Sequence, residues 1–279
     1  MLTPLETIVD QIRKDLDTHK QRAEAAVGYL MKPMRPLIGQ TPKEVVWTKN
    51  KAKLYRYRGR GERRYKTPIF MLYALINKPY ILDLTPGNSL IEHLVDEGYD
   101  VFLLDWGVFG EEDRELRLED LVMDYIARAA KQVLKVSGAP DFTLFGYCMG
   151  GTMALMYAGS HPEAPIKNLV CLTTPVDFQE AGLFTRWLNP NDFDVDRVVG
   201  TLGNVPSQFI RQGAKLLKPL HNYVSTYVQL VDRLHDEAFV KSWALLDHWV
   251  EDGIPFPGAA YRQWVKDLYQ DNLLIQDKL

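Results

Sequence analysis

The chain has 279 residues, of which 46% are hydrophobic, so it is long enough for one large core or a core with an inserted cap. A net charge of −3 gives no electrostatic basis for binding nucleic acid, and no apolar run approaches the roughly 20 residues that cross a bilayer. Two cysteines are too few for a disulfide framework and fit a reducing cytoplasm, and the charged N-terminus is not typical of a signal peptide. We expect neither a metal site nor a cofactor.

Residues 1–40 are predicted to form an N-terminal helix and a linker. Between Leu5 and Leu30, apolar residues recur at helical spacing among many charges, which predicts an amphipathic helix. Docking on its own domain and docking on a partner or a hydrophobic particle both remain open for this helix. Three prolines between Met31 and Pro42 indicate the linker.

Residues 41–175 are predicted to form an α/β core, which begins with a hairpin. Glu44–Lys49 and Lys53–Arg58 alternate in polarity and are joined by Asn50-Lys51. The basic loop Arg58–Lys66 follows. It is typical of a solvated turn, with a phosphate contact as the weaker alternative.

Four apolar runs then predict buried strands, and helical patterns separate them. The runs are Thr67–Ile76, Asp100–Trp106, Phe142–Phe145 and Lys167–Thr174. A capping box from Ser89 to Glu92 starts one helix, which ends at Gly98, and Glu119–Val136 forms another. Strands that alternate with helices predict a parallel sheet with right-handed crossovers.

The turn after the third strand carries the candidate chemistry. It has the spacing G-x-C-x-G over Gly146, Cys148 and Gly150, and a helix of small and apolar residues follows it. The same strand–turn–helix pattern with serine is the nucleophile elbow of α/β-hydrolases. The two glycines are expected because a Cβ in so sharp a turn would meet neighbouring backbone. The helix N-terminus is expected to lower the thiol pKa and to supply N–H donors.

The alternative is a buried structural cysteine in an ordinary strand–helix turn. The second cysteine, Cys171, lies inside an apolar strand and is predicted to be an inert core residue.

Residues 176–279 are predicted to form a cap region, because the alternation stops and the pattern becomes helical and rich in aromatic residues. Those aromatic side chains suit either the lining of an apolar channel or the core of the cap. Nothing after Tyr261 has the pattern of a strand. The expected fold is therefore an α/β-hydrolase-like parallel sheet with an inserted, mostly helical cap, in which the final strands of such a sheet are absent.

Three segments in order resemble polyhydroxyalkanoate synthases: Tyr73–Leu84, Val101–Gly107 and Gly146–Gly151. The resemblance runs from about Thr41 to the C-terminus and is strongest to the short Bacillus-type class, which works with a small PhaR-type subunit. It implies a cytoplasmic enzyme at polyhydroxyalkanoate granules. Such an enzyme polymerises 3-hydroxyacyl-CoA, for example 3-hydroxybutyryl-CoA, into a polyester on its cysteine and releases CoA.

By this resemblance, Cys148 is the nucleophile, and the backbone N–H groups of Met149 and Ile76 are oxyanion donors. The family's catalytic aspartate and histidine follow later strands, and this sequence has no match to them. Asp177 follows a strand but is more typical of a turn aspartate. None of the six histidines follows a strand and loop, so each is more typical of a surface or core residue; they are His19, His93, His161, His221, His235 and His248. We therefore expect this chain alone to be inactive.

Two other functions stay open on the sequence. One is a cysteine-variant esterase or thioesterase of the same fold, which would give free acid rather than polymer from a hydroxyacyl-CoA. The other is a catalytically incomplete fragment that binds a partner or a granule.

Overall fold

The structure is a computed structural model that describes residues 38–58, 61, 63–219, 221 and 225–278, with eight further positions between 13 and 28. The chain divides into two compact units. The first comprises Ile38–Arg211 and Asp252–Leu279, and the second comprises Met1–Leu37 and Gln212–Glu251. The three-part division at residues 40 and 175 stays a prediction. The predicted N-terminal helix lies largely outside the described residues.

A six-stranded sheet with the order β1-β2-β6-β3-β7-β8 forms the centre of the first unit. Its strands are β1 (Lys43–Lys49), β2 (Ala52–Tyr57), β3 (Ile69–Leu72), β6 (Val101–Asp105), β7 (Phe142–Tyr147) and β8 (Ile166–Leu172). A separate two-stranded ribbon consists of β4 (Asp83–Thr85) and β5 (Asn88–Ser89). The strands β6, β3, β7 and β8 are parallel, while β1 and β2 are antiparallel. The predicted parallel sheet is confirmed.

Helices connect the parallel strands and make up most of the chain after β8. The α-helices are α1 (Leu90–Asp96), α2 (Leu118–Asp120), α3 (Ala127–Ser137), α4 (Met149–Ser160), α5 (Leu183–Trp187), α6 (Val195–Leu202), α7 (Ser207–Leu216), α8 (Thr226–Asp232), α9 (Glu237–Glu251) and α10 (Gly258–Gln263). Two π-helical segments are π1 (Leu121–Ile126) and π2 (Trp264–Gln270). Short 3₁₀ turns cover Pro79–Leu82, Glu111–Asp113 and Leu274–Gln276.

Local sequence signals explain several of these boundaries. Asn50 turns the β1–β2 hairpin with a φ of 50°, a conformation that asparagine tolerates better than most residues. The Ser89 hydroxyl accepts the Glu92 amide at 2.9 Å and caps α1. Gly98, with a φ of 91°, turns the chain after that helix. The predicted hairpin and capped helix are confirmed.

Two arginines of the basic loop Arg58–Lys66, which is described in part, are paired within the protein. Arg58 pairs with Glu44 at 2.6 Å, and Arg63 lies 3.4 Å from Asp100 while donating to the Ser137 carbonyl at 3.0 Å. These contacts favour the turn interpretation.

Strand β3 is shorter than the predicted Thr67–Ile76, because it ends at Leu72. Beyond that point the backbone finds other partners. The Tyr73 carbonyl accepts the Trp106 indole N–H at 3.0 Å, and the Ile76 carbonyl accepts the Ile254 amide at 2.9 Å. Because both carbonyls bond outside the sheet, the apolar run continues as a loop.

The prediction that Cys171 is a core residue is wrong, because this cysteine is exposed. Its strand, β8, is the last of the sheet and pairs with β7. Among the residues that the structure describes, no strand pairs with its other edge. Leu169, Val170 and Leu172 are accordingly 38–40% exposed, although an apolar parallel strand normally has both faces covered.

Residues of the first unit that follow β8 contact the loop at the carboxyl end of β6. The Asn204 side chain donates to the Gly110 carbonyl at 2.5 Å, and the Ala259 amide donates to the Arg114 carbonyl at 2.8 Å. Both acceptors belong to the loop that follows β6. The prediction that the residues after 175 form a cap stays a prediction.

In the second unit, α9 buries Val240 and Leu245, and Tyr227 packs edge-on against Trp243 with ring centroids 5.7 Å apart. Taken over all described positions, no helix is both long and apolar enough to span a membrane. The same positions contain no group of three or more His, Cys, Asp or Glu side chains arranged to hold a metal ion.

The buried Asn272 side chain links the segment after π2 to the loop after β8, and its substitution tests how much this link stabilises the fold. Its side chain accepts the Phe178 amide at 3.0 Å and donates to the Asp177 carboxylate at 2.9 Å, and it is 1% exposed. We expect Asn272→Ala to lower the free energy of unfolding by about 1–3 kcal/mol, because buried polar groups lose their partners.

Urea unfolding followed by tryptophan fluorescence measures this change. The ring centroid of the buried Trp264 lies 6.1 Å from that of Phe178, the residue whose amide donates to Asn272. The control is Asn168→Ala, at an exposed residue whose side chain donates to the Thr143 hydroxyl, with an expected effect within about 0.5 kcal/mol. Equal effects of the two substitutions would contradict the stabilising role of the Asn272 side chain.

Candidate active site

Cys148 lies at a strained turn between β7 and α4. Its φ of 52° and ψ of −124° are unusual for a residue with a Cβ. Two hydrogen bonds hold this conformation: the Cys148 amide donates to the Leu172 carbonyl at 2.9 Å, and the Gly151 amide donates to the Cys148 carbonyl at 2.8 Å. The turn therefore presents the side chain at the carboxyl edge of the sheet.

Three glycines around Cys148 allow this turn to pack. A Cβ on Gly146 would lie 2.3 Å from the Gly151 Cα, and a Cβ on Gly150 would lie 2.2 Å from the Leu72 carbonyl oxygen. A Cβ on Gly151 would meet the Thr174 hydroxyl. Since two of these neighbours are backbone atoms, a larger residue cannot be accommodated by rotating a side chain. The sequence pattern identified the first two glycines and not the third.

The Cys148 sulfur is partly buried, and burial raises the pKa of its thiol above the ordinary value. A hydrogen bond from the Met149 amide lowers the pKa by a smaller amount. The sequence predicts the opposite net direction, because the pattern shows the helix N-terminus but not the loss of solvent around the sulfur. The thiol is thus mainly protonated near neutral pH and needs a base to become a nucleophile.

The loop after β3 forms one wall of the site, and the segment Asp105-Trp106-Gly107 supports it. The Trp106 indole donates to the Tyr73 carbonyl, while Asp105 accepts the Gly107 amide at 2.9 Å. The Tyr73 ring stacks on Tyr147, beside the cysteine, with centroids 5.4 Å apart. This packing brings the segments Tyr73–Leu84 and Val101–Gly107 together beside the elbow.

Tyr269, on π2, is a site residue that the sequence does not reveal. Its ring packs edge-on against Phe178 and Phe184, with centroids 4.8 and 6.0 Å apart. Burial, and to a smaller extent negative charge on Cys148, together raise the pKa of Tyr269 to about 12. Burial and the same charge also raise the pKa of Tyr73. Both phenols therefore stay protonated near neutral pH.

The two predicted oxyanion residues lie on different elements. The Met149 amide is directed at the sulfur from the first residue of α4. Ile76 lies in the loop after β3, where its carbonyl accepts the Ile254 amide. The loop backbone that touches the elbow is the Leu72–Tyr73 peptide, against Gly150. The oxyanion roles of Met149 and Ile76 stay predictions.

No histidine of the first unit lies at the elbow in the described part of the chain. His161 ends α4 and is therefore roughly 20 Å along the helix axis from Cys148, with its ring against Tyr157. His93 lies on α1, which leads to the opposite edge of the sheet. His221, His235 and His248 belong to the second unit, and His19 lies outside the described residues.

Asp177, considered as an orienting residue for a base, instead closes a turn. Its carboxylate accepts the Gln179 amide at 3.0 Å and the Asn272 side chain at 2.9 Å. Of the aromatic residues in the predicted cap, Phe256, Tyr261 and Trp264 are buried in contact with one another, which favours the core interpretation for these three.

Comparisons with known proteins agree with this geometry. The family described as "alpha/beta hydrolase fold" matches residues 67–276, and the family described as "Poly-beta-hydroxybutyrate polymerase (PhaC) N-terminus" matches residues 6–94. The relatives named poly(3-hydroxyalkanoate) polymerase subunit PhaC include that of Haloferax mediterranei, 37% identical over 100% of this chain and 57% of the relative. Those of Thiocystis violacea and Allochromatium vinosum are each 33% identical, over 97% and 96% of this chain and 76% of each relative.

The sheet, its elbow and these matches define a protein of the α/β-hydrolase fold. Within that class, the chain belongs to the poly(3-hydroxyalkanoate) polymerase family of PhaC proteins. It spans 57% of the length of the Haloferax mediterranei relative and 76% of the other two.

The packing of Gly150 gives the first test of the site. We expect Gly150→Ala to lower the free energy of unfolding by about 1–3 kcal/mol, because the new methyl group would overlap the Leu72 carbonyl. The control is Gly159→Ala, on the same helix, where no atom beyond the chain neighbours and the helix's own backbone lies within 4 Å of the new Cβ. Its expected effect is stabilisation by up to about 1 kcal/mol. Chemical denaturation measures both changes, and a neutral Gly150→Ala would contradict the close packing.

The raised pKa of Cys148 predicts the pH dependence of its alkylation. Only the thiolate reacts with iodoacetamide, so a raised pKa moves the rise in rate to higher pH. In a Cys171→Ala chain, we expect a midpoint above the value of about 8.5 for a free cysteine. Rates measured from pH 6 to 10 check this, and Cys148→Ala shows the contribution of Cys171. A midpoint below that of free cysteine would show that the helix N-terminus outweighs burial.

Proposed function

We propose that this chain is the acyl-carrying part of a polyhydroxyalkanoate synthase, with Cys148 as the covalent carrier. The observation that supports this most strongly is the placement of Cys148 at the elbow of a PhaC-family chain, with the Met149 amide directed at its sulfur. The substrate class is 3-hydroxyacyl-CoA, for example 3-hydroxybutyryl-CoA.

In the first step, the Cys148 sulfur attacks the thioester carbonyl of 3-hydroxyacyl-CoA. A carbon–sulfur bond to Cys148 forms, the bond to the CoA sulfur breaks, and the thiol proton of Cys148 ends on CoA. Backbone N–H groups at Met149 and in the β3 loop stabilise the oxyanion between these events. Because one thioester replaces another of similar energy, the acyl group stays activated.

In the second step, the 3-hydroxyl oxygen of another acyl group attacks the carbonyl held on Cys148. An ester bond forms, the bond to the Cys148 sulfur breaks, and the hydroxyl proton returns to the sulfur. Repetition lengthens the polyester by one unit for each CoA released. A serine ester would lie lower in energy and would lose this driving force.

Both steps move a proton at a thiol whose pKa is raised, so turnover requires a base. In the family, this work belongs to a histidine and an aspartate that follow later strands. We propose that a polypeptide corresponding to the unmatched part of the PhaC relatives supplies this histidine and aspartate. The same polypeptide would cover the exposed strand β8. The exposure of Leu169, Val170 and Leu172 supports this, because covering that edge would bury apolar surface.

We further propose that the chain acts with a small PhaR-type subunit in the cytoplasm, at the surface of polyester granules. The names of several relatives as "subunit PhaC" support a multisubunit enzyme. The predicted amphipathic pattern between Leu5 and Leu30 suits a granule or partner surface.

Product analysis tests the proposal. The chain is combined with a PhaR-type subunit and 3-hydroxybutyryl-CoA, with and without a polypeptide corresponding to the unmatched part of a PhaC relative. We expect polymer and CoA release at a rate several powers of ten higher with the added polypeptide, since it restores the base. Cys148→Ala should abolish both products, and Cys148→Ser should lose most of the turnover.

Each other result has a distinct meaning. Free 3-hydroxybutyrate instead of polymer would indicate a thioesterase and overturn the polymerase proposal. Full-rate release without the added polypeptide would show that a histidine of this chain is the base. Unchanged turnover in Cys148→Ala would remove Cys148 from the mechanism.

A further inference from the structure

A narrow backbone ribbon lies beside the loop that follows β3. The Val205 and Phe256 backbones exchange two N–H···O bonds, both of 2.9 Å. On the other side, the Ile254 amide donates to the Ile76 carbonyl at 2.9 Å, and Asn77 forms an antiparallel bridge with Gly253. The ribbon thus links three stretches of the first unit, which contain Val205, residues 253–256 and residues 76–77. The last of these includes Ile76, a predicted oxyanion residue.

The position of this ribbon in the chain gives it a second property. Gln212–Glu251 belongs to the second unit, so Asp252 is the first residue of the first unit after that insertion. The residues that resume the first unit therefore bond directly to the β3 loop. The backbone is closely packed at Gly253. A Cβ on this residue would lie 2.9 Å from the Ser207 Cβ and 3.3 Å from the Ile76 carbonyl oxygen.

Side chains fasten the same junction. Lys78 Nζ lies 2.6 Å from one carboxylate oxygen of Asp252, and the Tyr80 hydroxyl lies 3.4 Å from the other. The Lys78 and Asp252 side chains are 31% and 24% exposed. Both oxygens of Asp252 are therefore occupied by groups from the segment that continues the β3 loop.

The loop needs such support because it has no regular secondary structure between Leu72 and Pro79. An oxyanion donor acts only when it is held within about 0.5 Å of its working position. The Trp106 indole holds the near end of the loop at the Tyr73 carbonyl. The far end, beyond Ile76, is held by the ribbon and by Lys78.

We propose that Lys78 and Asp252 are positioning residues for acyl transfer at Cys148. Their ion pair locks the β3 loop, with its backbone donor, to the point where the chain returns from the 212–251 insertion. This inference rests on the proposed acylation of Cys148 and adds two residues that do not touch the reacting atoms.

The test compares Lys78→Met, Asp252→Asn and the conservative Lys78→Arg with a matched ion pair elsewhere in the unit. Lys266 Nζ also lies 2.6 Å from an aspartate, Asp196, so Lys266→Met is the control. Three quantities are measured on the full chain. They are hydrogen exchange of the peptide covering residues 73–80, acetylation of Cys148 by p-nitrophenyl acetate, and its alkylation by iodoacetamide.

We expect Lys78→Met and Asp252→Asn to speed exchange in residues 73–80 and to slow acetylation about tenfold, part of the roughly 100-fold or larger cost of losing an oxyanion donor. Alkylation has no oxyanion, so it should change less than about twofold. Lys78→Arg should keep most of the acetylation rate, and Lys266→Met should change none of the three quantities.

Unchanged exchange in residues 73–80, unchanged acetylation, or equal losses in acetylation and alkylation would each overturn the positioning role. A wild-type chain that reacts with p-nitrophenyl acetate but not with 3-hydroxybutyryl-CoA, even with the added polypeptide, would instead overturn the proposed substrate. In that case, acetylation of Cys148 by p-nitrophenyl acetate would still show whether the Lys78–Asp252 ion pair positions the β3 loop.

Discussion

The site depends on how closely two backbones approach each other at the elbow. The Gly150 Cα lies so near the Leu72–Tyr73 peptide that a single methyl group would overlap the Leu72 oxygen. This contact joins the start of α4 to the end of β3, and so places the helix amides beside the loop that carries the second predicted donor. Cys148 can keep its strained conformation because its neighbours on both sides are fixed.

The same close packing decides the electrostatics of the sulfur. A helix N-terminus favours a thiolate, while removal of water favours the neutral thiol. Here burial has the larger effect, and the two nearby phenols, Tyr73 and Tyr269, also have raised pKa values. A protonated cysteine suits the proposed acyl transfer, in which a base activates the thiol, and it limits reaction with other electrophiles.

Much of the fold is encoded locally and can be predicted from the sequence. The hairpin turn at Asn50, the cap at Ser89 and the elbow spacing around Cys148 each depend on residues within a few positions of one another. The parallel order of four strands follows from their alternation with helices.

Other features depend on contacts between residues far apart in the chain, and the sequence pattern does not contain them. Strand β3 ends at Leu72 because Trp106 and Ile254 bind the carbonyls beyond it. Cys171 is exposed because β8 lies at the edge of the sheet, although its sequence is that of a core strand. Tyr269 and Asp252 reach the carboxyl edge from about 120 and 100 residues beyond Cys148, in segments without a recognised motif.

The most direct test of acyl transfer at the elbow is peptide mass mapping after brief exposure to 3-hydroxybutyryl-CoA, with the chain combined with a PhaR-type subunit and the added polypeptide that supplies the base. We expect one hydroxybutyryl group on the peptide that contains Cys148, because its sulfur lies beside the Met149 amide at the start of α4. An acyl group on the peptide of the exposed Cys171 instead, or unmodified Cys148 in a complex that is making polymer, would contradict this assignment.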